Sequence, residues 1–389
     1  MNENIKEFNF KLKTNMKFGI GIVKDLNEIL LKYRFKKAGF IIDHGVYGSD
    51  QIEEMIKRVE SARISINVYV NRVSEPDYDY LDEFKKQLNG VDFDCLVGVG
   101  GGSTLDLTKG MAILLKNPGK AISYRGFPEL GNNPLPVIAI PTTAGTGSEV
   151  TYNAVFTDNR EKKKLGINSE LNYPICALLD PSLTLSCPKA VTVSSGIDAL
   201  THALESFVAK NATPISRIFS KEAFKLIFNN LRKVTEDPRN IEIRSKLLFG
   251  SYLAGIALCN SGAGPAGAMS YPLGAIYKVP HGLAGGVFLP AIVKLNVDRG
   301  YMGYTELYDL IEDSDKNLSI NRKNERFCKL LEELCVRLGV PQKLTAFGIA
   351  ERDIDCLVEH TFKGLKAAIE QNPIQVNEED VRKILKAMF

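Results

Sequence analysis

Apolar and polar positions alternate between two regimes along the first half of this chain. KAGFIIDHG (37–45) reads as a buried strand ending in a turn, and DQIEEMIKRVESA (50–62) has helical spacing. ISINVYV (64–70) is β-branched and strand-like, and DYLDEFKKQL (79–88) is helical again. FDCLVGVGGGS (93–103) is an apolar strand running into glycines. TLDLTKGMAILL (104–115) is a helix, and LPVIAIPTT (135–143) is another strand. Strand, helix, strand, helix predicts parallel β-α-β units in a doubly wound, Rossmann-like, mostly parallel sheet. From about Val191 the pattern becomes helix after helix: SGIDALTHALESFVA, SRIFSKEAFKLIFNNLRKV, EIRSKLLFGSYLAGIAL, NERFCKLLEELCVRLG and EDVRKILKAMF. The chain therefore divides near residue 190 into an α/β domain (1–190) and an all-α domain (191–389). The cleft between them is the expected place for chemistry.

Bulk properties narrow the class. With 389 residues, 44% of them hydrophobic, there is ample material for a large core. The 49 basic and 46 acidic residues nearly cancel, to a net +3. The densest basic stretches, EKKKLG (161–166) and RKNERFCK (322–329), are too short for the broad face that nucleic acid needs, so no nucleic-acid partner is expected. Seven cysteines without a C-x-x-C argue against a disulfide framework and suit a reducing cytoplasm. MNENIKEFNFKLKTNMKFG has no apolar leader segment, and no apolar run approaches the roughly 20 residues a membrane span requires. A cytoplasmic protein with no membrane partner is expected.

Two loops carry binding chemistry. In VGVGGGSTLDLTKG (97–110), Gly100, Gly101, Gly102 and Ser103 join an apolar strand to a helix. Such a turn lets backbone approach a ligand, and the helix N-terminus offers free N–H groups suited to a pyrophosphate. The usual dinucleotide fingerprint is incomplete, because its third glycine position falls on Ser103. Asp43, at the end of the first strand of the β-α-β series, is placed either to bond a ribose diol and repel a 2′-phosphate or simply to form a turn before His44 and Gly45. IPTTAGTGSEVT (140–151) is a second glycine- and hydroxyl-rich loop, with Thr142, Thr143, Thr146, Ser148 and Thr151. Two such loops at successive strand ends share one edge of a parallel sheet.

In the helical half, Asp198 and His202 are four residues apart and so share a helix face. A carboxylate and an imidazole presented together can ligate a divalent metal, or form a local pair. His281, in VPHG, is a candidate third ligand. The remaining histidines are His44, in the first half, and His360, in LVEHTFKG.

GGGSTLDLTK, PTTAGTGSEVT, LLDPSLT, SGIDALTHALESF and PLGAIYKVPHGLA, in this order, resemble the iron-containing (group III) alcohol dehydrogenases. The resemblance runs from about FGIG (18–21) to the last helices. It implies the dehydroquinate synthase-like architecture, an N-terminal dinucleotide-binding domain before an all-helical one. It also implies a nicotinamide-dependent enzyme, homodimeric through N-terminal edge strands, that interconverts a small aldehyde and its alcohol. Matched position by position, Asp43 lies near the adenosine ribose, which favours NAD over NADP. Gly100, Gly101, Gly102 and Ser103 form the pyrophosphate turn, with Asp106 and Lys109 anchoring the next helix. Thr142, Thr143, Thr146 and Ser148 surround the phosphates and nicotinamide, and Lys164 faces the cofactor. Asp198, His202 and His281 match three of four ligands for iron or zinc.

The fourth does not match. The family pattern is roughly H-G-M-A-H-P-L-G…P-H-G, whereas this chain reads GAMSYPLG…PHG. Gly267 stands at the missing ligand and Tyr271 at a second histidine near the substrate. Three protein ligands and an open position still make a catalytic site. Tyr271 becomes the candidate to supply the proton or a hydrogen bond to the substrate oxygen, or else it fills the volume of the absent histidine. Without a metal, Tyr271 and His281 are the best electrophilic donors, with His202 beside them. The SYPL segment also resembles a branch that reduces phosphonoacetaldehyde to 2-hydroxyethylphosphonate. That branch needs a cation in the cleft, for which Arg125 is one candidate. A non-redox or non-catalytic nucleotide-binding relative is the remaining reading.

Overall fold

The computed structural model describes residues 7–389; the first six, part of the N-terminal stretch read as lacking an apolar leader, lie outside the described residues. The first half contains strands β1 (Asn15–Phe18), β2 (Lys37–Asp43), β3 (Ser65–Asn71), β4 (Cys95–Gly100) and β5 (Val137–Pro141). Helices α1 (Leu26–Lys32), α2 (Asp50–Ser61), α3 (Tyr78–Leu88) and α4 (Gly102–Leu114) lie between them. Four two-residue strands follow. Of these, β6 (Asn153–Ala154) pairs with β9 (Ile167–Asn168), and β7 (Thr157–Asp158) with β8 (Lys163–Lys164). The last strand, β10 (Cys176–Leu179), returns to the main sheet. That sheet is six-stranded and parallel throughout, in the order β1-β10-β5-β4-β2-β3.

Burial on both faces explains why the central strands are unbroken apolar runs. β4 and β5 are buried at every residue. Along β2, Phe40 and Ile42 join the core with Leu26, Leu30, Ile52, Met55 and Val59 from α1 and α2. Ile41, one residue out of phase, joins Leu81, Phe84, Leu107 and Met111 from α3 and α4. The expected strands and helices thus lie within a few residues of their predicted bounds. β1 and β10 are additions. Each has only four residues, too few to show a period, and β1 is exposed along its whole length.

The strand order reverses between β2 and β4. The chain runs outward from β2 to β3, then returns to place β4 on the other side of β2. The crevice beyond the C-terminal ends of these two strands is where an open α/β sheet binds ligands. Asp43 closes β2 there, and Gly100 closes β4.

The second half is helical: α5 (Lys189–Val208), α6 (Pro214–Glu236), α7 (Ile241–Ser261), α8 (Pro265–Tyr277), α9 (His281–Asp298), α10 (Thr305–Tyr308), α11 (Ile320–Arg337), α12 (Ile354–Glu370) and α13 (Glu378–Lys386). Buried Ile197, Leu200, Ala203, Leu204 and Phe207 put α5 at the centre, packed against α6, α7 and α9. The two halves meet closely at Gly147, whose φ is +65°. A β-carbon there would lie 2.6 Å from the Cα of Gly255 on α7. Among the described residues no single helix is long and apolar enough to cross a membrane.

Candidate active site

The glycine turn and the hydroxyl loop form one surface. A β-carbon at Gly100 would lie 2.7 Å from Thr104 Cβ and 2.8 Å from Asp43 Cβ, and one at Gly101 would lie 3.3 Å from Thr143 Oγ1. One at Gly102 would collide with Thr146. Glycine is required here because β2, the start of α4 and the second loop converge on one point. Asp43 accepts a hydrogen bond from the Gly45 N–H (2.8 Å) and one from Thr104 Oγ1 (3.2 Å), so its carboxylate is held at the crevice wall.

Other residues of the cofactor set act through the loop. Asp106 accepts from Ser148 Oγ (2.5 Å) and the Val155 N–H (2.9 Å), and pairs with Lys109 Nζ at 3.1 Å. Its oxygens are thereby occupied in holding residues 148–155 against α4. Buried Lys109 donates to the carbonyls of Ser148, Thr151 and Asn153. The Thr142 N–H donates to the Gly100 carbonyl (3.0 Å), and Thr146 Oγ1 accepts from the Ser148 N–H (3.1 Å). Ser103 donates its hydroxyl to the Ser74 carbonyl, which leaves its backbone N–H at the start of α4 as the group it can offer a phosphate.

Lys164 is buried in the cleft. Its Nζ pairs with Glu75 at 2.5 Å and packs over Gly274 of α8. Arg125 is bound to Asp158 and to Glu161 (3.0 Å), so its charge is neutralised.

Across from these loops, α5 and the start of α9 bring Asp198, His202 and His281 together, with one potential ligand atom from each within 4.8 Å of the others. Asp198 Oδ1 is 3.6 Å from His202 Nε2 and 3.8 Å from His281 Nε2. The three fit a divalent cation on their chemistry: a nearly buried carboxylate, with no lysine or arginine paired to it among the described residues, faces two imidazoles. Burial holds the His281 pKa below its ordinary value, partly offset by Asp198, so the ring stays neutral and able to ligate. Ser270 Oγ lies 3.2 Å from His281 Nδ1, whereas the buried Nδ1 of His202 has no partner among the described residues.

Gly267 and Tyr271 both line this region. The backbone N–H groups of Gly264, Ala266 and Gly267, at the start of α8, donate to Glu205 at 2.8, 2.7 and 3.1 Å. Burial pushes the Glu205 carboxyl up, and these bonds oppose the shift. A β-carbon at Gly267 would stand 3.0 Å from Glu205 Oε2. The position facing the missing ligand is therefore lined by a helix-capping carboxylate. The Tyr271 ring lies 5.1 Å from the His281 ring, centroid to centroid. Burial raises its phenol pKa, with Asp198 adding to the shift, so the hydroxyl is a neutral donor.

Sequence reasoning passed over Glu205, Ser270 and Glu75. Glu205 was within reach of it, since Asp198, His202 and Glu205 stand at i, i+4 and i+7 on one helix face. Glu75 and Ser270 gave no local signal.

Comparison with known proteins decides what this combination is. The sequence model of iron-containing alcohol dehydrogenase matches residues 13–181, and that of the C-terminal part of the Fe-containing alcohol dehydrogenase family matches 192–389. The chain belongs to the iron-containing alcohol dehydrogenase family. It is 31% identical over 382 residues to the NAD-dependent methanol dehydrogenase of Bacillus methanolicus, spanning 97% of this chain and 99% of that one. The solved structure of a 1,3-propanediol oxidoreductase superposes with a TM-score of 0.93 at 29% identity, covering 99% of this chain and all of the other. The sulfoacetaldehyde reductase of Bifidobacterium kashiwanohense, solved in complex with NAD+, gives 0.87 at 26% identity over 98% of this chain and 99% of that one. An iron-containing alcohol dehydrogenase of this kind is an oxidoreductase that interconverts an aldehyde and an alcohol with a nicotinamide cofactor.

Proposed function

We propose that this chain reduces a small, uncharged aldehyde to a primary alcohol, and catalyses the reverse reaction, using NAD(H) and one divalent iron or zinc ion held by Asp198, His202 and His281. The observation that carries this reading is the meeting of those three side chains within 4.8 Å, opposite the glycine turn and hydroxyl loop. When bound, the cation supplies Lewis-acid polarisation of the carbonyl and the nicotinamide supplies the hydride.

The chain's own residues do the rest. First-turn N–H groups of α4 and the Thr142–Ser148 loop receive the pyrophosphate. Asp43 takes the adenosine ribose and excludes a 2′-phosphate by charge repulsion, which is the argument for NAD over NADP. Asp106 and Lys109 hold the loop in place. Tyr271 donates a hydrogen bond, or its proton, to the substrate oxygen, with His281 and His202 beside it. An uncharged substrate is favoured because the cations named at or near the cleft are already paired, Lys164 with Glu75 and Arg125 with Asp158 and Glu161.

The test is NADH oxidation at 340 nm against short neutral aldehydes, sulfoacetaldehyde and phosphonoacetaldehyde, repeated with NADPH. The highest kcat/KM is expected for a neutral aldehyde with NADH. Preference for phosphonoacetaldehyde would move the assignment to that branch. Cofactor binding without turnover of any aldehyde would point to the non-catalytic relative.

We also propose a division near residue 190 into cofactor and metal domains, and a cytoplasmic homodimer joined through β1. That strand is one of the sheet's two edges, and Phe8, Leu12, Met16, Phe18 and Ile20 are exposed in and around it. Light scattering reading a single-chain mass at micromolar concentration would rule the dimer out.

A further inference from the structure

We infer that Ser270 is a positioning residue: it fixes His281 in the tautomer that carries its proton on Nδ1, and so presents the Nε2 lone pair to the cluster formed with Asp198 and His202. The inference rests on the reading of that cluster as a metal site.

A serine hydroxyl has one proton to give. Ser270 Oγ is 2.6 Å from the Gly267 carbonyl and 3.2 Å from His281 Nδ1. The shorter contact takes the proton, since a carbonyl can only accept. Oγ can then meet Nδ1 only as an acceptor, and the Nδ1–H donates to it. Ser270 is fully buried, so no exchange with bulk water relaxes this arrangement.

A competing tautomer exists. The Nε2–H form would point its proton at Asp198 Oδ1, but at 3.8 Å that contact is too long to be a hydrogen bond. Ser270, at 3.2 Å, wins the contest in this geometry. Its loss would hand the proton to Nε2, the atom that must be bare to ligate. Where only three protein ligands are available, a mis-set His281 leaves two. Position 270 lies three residues after Gly267 on α8, so the carbonyl that orients the serine belongs to the residue at the missing ligand position.

The experiment uses full-length, metal-free protein labelled at histidine with 13C and 15N. The chain has only four histidines, and His281→Asn identifies the signal of interest. Ring shifts above pH 7.5 report the tautomer of the neutral imidazole. The wild type is expected to show Nδ1–H at His281. Ser270→Ala is expected to show Nε2–H, and its Zn2+ affinity, read by competition with a chromogenic chelator, should fall about 10–100-fold. Ser270→Thr keeps the hydroxyl and should restore both readouts. A packing role alone would alter thermal stability without moving the tautomer. An Nε2–H signal in the wild type overturns the inference whatever the variants do, as does a Ser270→Ala protein with unchanged tautomer and Zn2+ affinity. A wild type that binds no Zn2+ yet shows Nδ1–H, flipped in Ser270→Ala, would count against the metal reading and not against the role of Ser270.

Discussion

Glu149 is a buried acid that the chemistry does not use, and replacing it should reveal its effect on stability. It sits in the loop that joins the cofactor crevice to α7, only 2% exposed, and its Oε1 has no hydrogen-bond partner among the described residues. Burial pushes its carboxyl up from 4.5 to about 7; Lys109 opposes the shift and Asp106 adds to it. The folded protein therefore binds this proton more tightly than the unfolded chain does. The stability tied to it is fully present below pH 4.5, declines as pH rises, and is lost above pH 7. The interval of about 2.5 pH units, at about 1.4 kcal/mol each, amounts to about 3–4 kcal/mol. Glu149→Gln keeps the shape and removes the charge. Urea unfolding of both proteins at several values from pH 4.5 to 8.5 should show the variant gaining about 3–4 kcal/mol on the wild type across that range. A stability difference that does not change with pH would refute the reasoning, and would mean that Lys109 keeps Glu149 ionised at little cost.

Three further outcomes are expected. Gly147→Ala combines left-handed strain of about 1–2 kcal/mol with the Gly255 collision, so NADH fluorescence titration should show affinity lower by about tenfold or more; unchanged affinity would free the loop from this constraint. Asp43→Ser should raise the NADPH-to-NADH ratio of kcat/KM by about tenfold or more, and an unchanged ratio would take Asp43 out of cofactor selection. Tyr271→Phe should lower kcat about a hundredfold with little change in KM; a kcat within about twofold of wild type would reduce Tyr271 to a space-filling residue.

The parallel sheet was legible because its central strands are buried on both faces and its helices carry clear apolar stripes. β1 and β10 were not, since four residues are too few to carry a period, whether exposed at the edge as in β1 or buried beside it as in β10. The same contrast holds in the site. Asp198 and His202 share a helix turn, so local spacing pairs them. His281 is also readable as a third ligand, from its loop and from the family resemblance, but its contact with the pair comes from the packing of α9 on α5, which local spacing does not show. Asp106 illustrates a different limit. Its place beside the glycine turn was readable, but its partners, Ser148 and Val155, lie 42 and 49 residues away. Ser270 reads as an ordinary small residue until the Gly267 carbonyl and His281 Nδ1 are both seen beside it.

The most direct test of the account is the metal content of protein purified without chelator, with aldehyde reduction by NADH assayed before and after EDTA. The account predicts close to one equivalent of iron or zinc per chain, activity lost on chelation and recovered on re-addition, and neither metal nor activity in Asp198→Ala. Full reductase activity in protein free of metal would contradict it, and would leave Tyr271 and His281 as the groups that polarise the carbonyl.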